Sequence, residues 1–261
     1  LKHKFISPSL LEYKVYGIHA CQALFEFNPH QIVRVYVVKS KVPFWGEMLK
    51  WCAAQKKTYH LLEEAEMEKV AGTLHHEGIC VLRKSDSPLR FPEDLKTARE
   101  LNDYVLFLVD VTNPHNFGAC LRSAAHFGFH TVLVNVNDSP STVASKWLNG
   151  AVARNSMGAL ERLKIYSCPD VLLGLKELKK HQFTAYATSS HSNALSIYQT
   201  KLAPKSVLCM GAEGQGLPKK VVDACDQLLC LPGSGMVESL NVSVAAGCLM
   251  SEFARVKELK S

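Results

Sequence analysis

The sequence predicts an α/β protein: a mostly parallel sheet wrapped by helices, preceded by a smaller α/β domain. Three observations carry that expectation. Tyr104–Val109 (YVLFLV) is a continuous apolar run, as suits a parallel strand covered on both faces. Strand-like and helix-like patterns alternate in both halves of the chain. Between the halves, residues 85–100 (SDSPLRFPEDLKTARE) are polar, carry two prolines and lack strand alternation. They read as a linker with a short helix after Pro92. The expected division is therefore a domain at 1–84, a linker at 85–100 and a second domain at 101–261.

In the first domain a helix is expected at Tyr16–Phe27 and a strand at Ile32–Val38. A helix at Trp45–Gln55, a short strand near Thr58–Leu62, a helix at Glu64–Ala71 and a strand at Gly78–Arg83 follow. In the second, strand Tyr104–Val109 ends at Asp110, helix Ala119–Phe127 comes next, then strand Thr131–Val134. Later strands are expected at Thr184–Ala187, Val207–Met210 and Leu228–Leu231, with helices between them. Ligands of such sheets sit at the carboxyl ends of the strands.

Bulk properties narrow the function classes. With 261 residues, 47% hydrophobic and 21% charged, the chain buries a full core without disulfide or metal staples. No uncharged apolar run reaches the roughly 18–20 residues that span a bilayer. Leu1–Ser9 mixes basic and apolar residues without a long apolar stretch, so no signal peptide is expected. The nine cysteines form no CxxC pair, which points to buried free thiols in a reducing, cytoplasmic setting rather than to zinc. His126 and His130 are four apart, but Gly128 between them marks a helix end, so no metal is expected there. The formal charge of +6 permits a polyanionic partner without requiring one.

Three segments carry the chemistry. The first, Asn113-Pro-His-Asn-Phe-Gly-Ala-Cys-Leu-Arg-Ser-Ala-Ala-His-Phe-Gly128, runs from a buried strand into a helix. Asn116 is placed to cap the helix and Arg122 to lie in its first turns. Alone, this is equally a capped junction with a surface arginine. The second, Met210-Gly-Ala-Glu-Gly-Gln-Gly-Leu-Pro218, follows a strand. Its GxxGxG spacing is neither the dinucleotide fingerprint nor a phosphate-binding P-loop, and alone it is equally a tight turn. The third, Leu231–Glu252 (LPGSGMVESLNVSVAAGCLMSE), is a Gly/Ser loop leading into an amphipathic helix. Val242, Ala245, Leu249, Phe253 and Val256 share one face of that helix. Gly233-Ser234-Gly235 is no nucleophile elbow, and Ser239 has no evident base beside it.

Together, NPHNFGACLRSAAHFG, MGAEGQGLP and LPGSGMVESLNVSVAAG resemble the three ordered motifs of the SpoU/TrmH family of RNA 2′-O-ribose methyltransferases. Asn155-Ser-Met-Gly-Ala-Leu-Glu161 is similar to the family's small-residue SxGA segment. Residues 13–84 resemble the RNA-binding domain that precedes the catalytic one in many members. YGIHACQALFE and HHEGICVL carry that likeness, with Glu77 standing where the family usually has Gln.

The resemblance implies a parallel sheet with a C-terminal trefoil knot, S-adenosylmethionine as cofactor, tRNA or rRNA as partner, and a homodimer with its site at the subunit interface. It places Gly211, Leu231 and Leu240, with Thr188 and Glu213, at the cofactor. It makes Arg122 the catalytic arginine, with Asn116, Glu213, Ser239 and Asn241 around the transfer centre. Arginine stays charged at any workable pH, so Arg122 is expected to grip a phosphate rather than abstract a proton. Asn116 would hold Arg122 or the ribose. Two other functions compete: an RNA-binding module that has lost catalysis, and methylation of a base. The presence of Arg122, Glu213, Ser239 and Asn241 argues against the first, and the motifs argue against the second.

Overall fold

The computed structural model describes residues 11–85, 89–92, 101–135, 147–189 and 194–258. They form two compact units. The first holds 11–85 with 147–162, and the second holds 89–135 with the residues from 163 on.

In the first unit, β1 (Leu11–Tyr16), α1 (Ile18–Phe27), β2 (Ile32–Val38), α2 (Gly46–Ala54), β3 (Thr58–Leu62), α3 (Glu64–Ala71) and β4 (Ile79–Ser85) follow one another. The sheet order is β1-β4-β2-β3, with β4 antiparallel to β1 and β2, and β2 parallel to β3. Strand β1 corrects the expectation of a helix from Tyr16. Tyr13 and Val15 alternate with Glu12 and Lys14, the two-residue period of a strand. Gly17, at φ 92°, breaks that strand, and the helix starts at Ile18. Helix α3 is bounded by a Glu63–Glu66 capping box and by the left-handed Gly72, local signals that end a helix at both sides. Its Met67 and Ala71 pack on Val38 and Cys80 of the sheet.

Residues 147–162 complete this unit. Helix α5 (Gly150–Asn155) packs on β1. At Gly158, φ is 87° and an added Cβ would lie 2.8 Å from the Cβ of Ala23 in α1, so this turn needs glycine both for its backbone and for its close approach. Glu161 then reaches a buried ion pair with Arg83. Asn28 Nδ2 donates to Glu161 Oε2 at 2.8 Å, and Arg83 donates to Gln31 Oε1 as well. Both carboxylate oxygens and both terminal guanidinium nitrogens are thus hydrogen-bonded, as burial demands, while Arg83 Nε is buried without a partner among the described residues.

The second unit contains β5 (Leu89–Arg90), β6 (Tyr104–Leu108), α4 (Pro114–His126), β7 (Thr131–Val134), β8 (Lys164–Ser167), α6 (Val171–Lys180), β9 (Thr184–Thr188), β10 (Leu195–Ser196), β11 (Ser206–Met210), α7 (Lys219–Ala224), β12 (Gln227–Cys230) and α8 (Val242–Glu258). Its eight strands are ordered β10-β12-β9-β11-β6-β7-β8-β5, every neighbouring pair parallel. Strands β8 and β10 are not foreseen from the sequence. Nor is β5, which lies in the stretch expected as a linker, where Phe91 is also buried in the core. The helix expected after Pro92 lies outside the described residues.

The sheet is covered on both faces, as its apolar strands require. Val105 and Phe107 of β6 join Leu133, Val207, Leu175 and Val221 in one core. On the other face Tyr104, Phe129 and Tyr186 surround Phe253 of α8, with ring centroids 5.2–5.7 Å apart. Burial of each such side chain contributes about 1.5–3 kcal/mol, which anchors α8 and hence the loop before it. Among the described residues no helix is long and apolar enough to cross a membrane.

Candidate functional site

Parallel strands deliver their outgoing loops to one edge of the sheet. Here β6 and β11 are neighbours, yet the chain leaves β6 towards β7 on one side and leaves β11 towards β12 on the other. Helix α4, after β6, packs on α8, whereas α7, after β11, packs on α6. The connections thus part on opposite faces and open a crevice at the carboxyl ends, the switch point where such sheets bind ligands. The first motif follows β6, the second follows β11, and the third follows β12, one strand further out past β9.

Asn241 joins all three. Its Nδ2 donates to Asn116 Oδ1 at 3.0 Å and also to Glu213 Oε1, using both hydrogens of one amide. Its Oδ1 accepts from Ser243 N at 2.9 Å and from Ser243 Oγ at 2.6 Å, which caps α8. Glu213 Oε1 also accepts from Val242 N at 3.4 Å, placing a carboxylate at the positive end of that helix. Beneath this cluster Cys120 is buried; burial, with the nearby Glu213 charge adding to it, pushes its thiol up to about 12. It is therefore an inert packing thiol rather than a nucleophile.

The start of α4 differs from expectation. Asn113, not Asn116, is the cap: its side chain accepts from His115 N at 2.9 Å and Asn116 N at 3.4 Å, with Pro114 at the first helical position, where its missing N–H costs nothing. Asn116 therefore sits inside the first turn, free to face the crevice, and Arg122 falls in the third turn rather than the first ones. Arg122 is exposed and has no hydrogen bond or ion pair to any described residue. Six residues along a helix also turn it about 120° from Asn116, so the two side chains do not meet.

Gly211 ends β11 under tight constraint. A Cβ there would stand 2.2 Å from Gly216 C and 2.4 Å from Leu217 N, because the 211–217 loop folds back through a bridge between Ala212 and Gly216. Thr188 closes β9 and donates its hydroxyl to Cys209 O at 2.9 Å, which ties two strand ends together. Leu231 is half-buried, while Ser239 is exposed with no hydrogen bond to a described residue. Met236, Val237 and Leu240 are 88, 70 and 49% exposed, more apolar surface than a short loop leaves bare without something to cover it. Sequence reasoning gave no role to Asn113 or Ser243. The Asn-Pro step and the two-residue offset from Asn241 were the local signals for both. Among the described residues no group of three or more His, Cys, Asp or Glu could hold a metal ion.

A backbone cradle at Gly211, apolar side chains left open and the Glu213 carboxylate gather at the carboxyl ends of the strands. The fold and site thus define a parallel α/β protein that takes a ligand at the switch point of its sheet. Residues 103–251 match the SpoU rRNA Methylase family, and residues 14–88 match the RNA 2′-O ribose methyltransferase substrate-binding domain. The chain belongs to the SpoU rRNA methylase family. It is 36% identical over 257 residues to "Uncharacterized tRNA/rRNA methyltransferase YfiF" of Escherichia coli O157:H7, covering 96% of this chain and 72% of that one. It is 32% identical over 254 residues to the 23S rRNA (guanosine-2′-O-)-methyltransferase RlmB of Yersinia pestis, covering 95% and 98%. The crystal structure of the SpoU methyltransferase AviRb from Streptomyces viridochromogenes with AdoMet shares the fold, with a TM-score of 0.74 at 18% identity, over 96% of this chain and 92% of that one. The family models make the activity methylation of RNA at a ribose 2′-oxygen.

Proposed function

We propose that the chain methylates a ribose 2′-hydroxyl of tRNA or rRNA at the crevice beyond β6, β11, β9 and β12. The bridge of Asn241 to Asn116 and Glu213 supports this most directly, because it gathers one polar residue from each motif at one point. Gly211, Leu231 and Leu240 hold the cofactor through backbone groups and apolar surface, with Thr188 bracing the strand ends and Glu213 facing the positive centre. When bound, S-adenosylmethionine supplies a methyl group on a sulfonium.

The remaining work is positioning, which supplies much of the rate of such a displacement. Arg122, exposed and without a partner among the described residues, grips a phosphate next to the target ribose through its fork of donors. Its charge orients the 2′-hydroxyl and eases loss of the proton. Asn116 Oδ1 already accepts from Asn241, and a guanidinium accepts nothing. Asn116 Nδ2 is thus left for a ribose oxygen, not for Arg122. Ser239 lies on the loop that borders the same centre.

We further assign the first unit, 11–85 with 147–162, to RNA binding and the second, 89–135 with the residues from 163 on, to catalysis, in place of the expected division at 84 and 100, with a C-terminal trefoil knot in the second and a cytoplasmic location. A homodimer would cover Met236, Val237 and Val244, which are exposed by 50% or more. Mass-spectrometric mapping of ribose methylation in RNA from cells with and without the gene tests the assignment. Loss of one 2′-O-methylated nucleotide is expected, and an unchanged ribose-methylation map contradicts it.

A further inference from the structure

The first unit's sheet has one face only partly covered. Register places Arg34 beside Thr58 and Leu82, and Tyr36 beside His60 and Cys80. Lys14 lies beside Leu82, and Glu12 beside Lys84. All of these share one face, since residues two apart on a strand point the same way. Helix α3 covers the Val38 and Cys80 end. Away from α3, Lys14, Lys84, Arg34 and His60 are exposed.

Two features of this open area are unusual for a solvated sheet. The rings of Tyr36 and His60 are stacked, with centroids 5.3 Å apart and planes 17° from parallel, and His60 is exposed on the edge strand β3. Beside the stack, Arg34 Nη1 donates to Tyr36 Oη at 3.3 Å, which holds a cation against it. Among the described residues, three cations on this face meet one carboxylate, Glu12, itself 4.0 Å from Lys84. An exposed ring stack with a cation beside it and a net positive face complements an aromatic base on an anionic backbone. It does not complement a duplex, whose base faces are already stacked and whose surface offers sugars, phosphates and base edges.

We propose that this open sheet face, with the Tyr36–His60 stack beside Arg34 and with Lys14 and Lys84 further along the same face, holds an unpaired segment of the RNA substrate, one base stacking on His60. The proposal rests on the chain acting on RNA, and it names the residues of the first unit that read single-stranded structure in the substrate.

The test uses the full chain and a fluorescently labelled unpaired RNA of about 12 nucleotides, a length within the usual single-strand site range, beside a duplex of equal length. Anisotropy is read at two salt concentrations. His60→Ala is expected to weaken single-strand binding about tenfold, while His60→Phe, which keeps a ring, stays within about twofold of the parent. Arg34→Gln is expected to lower the slope of log affinity against log salt by about one. Cofactor affinity and thermal midpoint should not move in any of the three. Equal losses in His60→Ala and His60→Phe overturn the stacking role. Parent-like single-strand binding in His60→Ala and Arg34→Gln, in a chain that still methylates RNA, overturns the surface and leaves the activity standing. A parent chain that neither binds nor methylates any RNA removes the activity and this surface together.

Discussion

Asn241→Asp isolates the bridge on which the site depends. The change is nearly isosteric and keeps a good helix cap, because a carboxylate accepts from Ser243 N as well as the amide oxygen does. What it removes are the two donors reaching Asn116 Oδ1 and Glu213 Oε1. A hydrogen bond to a charged acceptor is worth about 1.5–3 kcal/mol and a neutral one about 0.5–1.5. Two carboxylates roughly 4 Å apart repel by about 1 kcal/mol in a water-like medium. Glu213 and Asn241 are exposed, so the low end of each range applies, and together these come to about 3 kcal/mol. In a body of this size that lowers the melting temperature by roughly 6–12 °C. The sign with pH follows from the same contact. Beside Glu213 the introduced carboxyl holds its proton more strongly in the folded than in the unfolded chain. The repulsive part, about 1 kcal/mol, is therefore absent at low pH and grows as pH rises through the folded-state value, while a single carboxyl O–H restores at most one of the two lost donors. Calorimetric unfolding at pH 8 should show the full deficit, and unfolding below about pH 4 a deficit smaller by the repulsive part. Equal melting of variant and parent at pH 8 would refute the bridge.

Other consequences are as direct. Arg122→Ala should cut methyl transfer by about 10²-fold or more while cofactor affinity by calorimetry stays within twofold; full activity would sink the phosphate-gripping role. Gly211→Ala forces a Cβ to 2.2 Å from Gly216 C, so cofactor affinity should fall at least tenfold by calorimetry, and unchanged affinity would remove the cradle. Glu161→Ala strands Arg83 in a pocket where the pair's side chains are 6 and 3% exposed, at a cost of about 3–5 kcal/mol readable in denaturant melts. At pH 8 iodoacetamide should label the exposed Cys248 and spare Cys120 and Cys80, which burial pushes up to about 12 and about 11; mass spectrometry showing Cys120 labelled as fast as Cys248 would contradict that packing.

The central strands and most helices were legible because long apolar runs and regular periodicity report burial directly, as in Tyr104–Leu108 and Ile32–Val38. Strand β1 was written in the alternation at 12–15, but the helix-like run after Gly17 masked it. Strands β5 and β10, two residues each, are too short for any period to show; their parallel partners create them. The cap on α4 was misplaced by three residues although Asn-Pro marks it. Residues 147–162 fall in the first unit because Glu161 pairs with Arg83, 78 positions earlier, a contact that no local pattern encodes. The site was legible as motifs, yet the joining of Asn116, Glu213 and Asn241 was not, since it depends on the order of parallel strands. That grouping also bears on experiments: truncation at residue 84 would strip the partners from 147–162, so point substitutions test the first unit more cleanly.

The chemistry of the product tests the central claim most directly. Alkali cleaves RNA through attack by a free 2′-hydroxyl, so a methylated ribose leaves an uncleaved dinucleotide whereas a methylated base does not. The purified chain, supplied with methyl-labelled S-adenosylmethionine and with tRNA or rRNA, should place its label in alkali-resistant dinucleotides, and Arg122→Ala should place about a hundredth of that or less. Label recovered in single nucleotides after alkali would contradict methylation of the ribose.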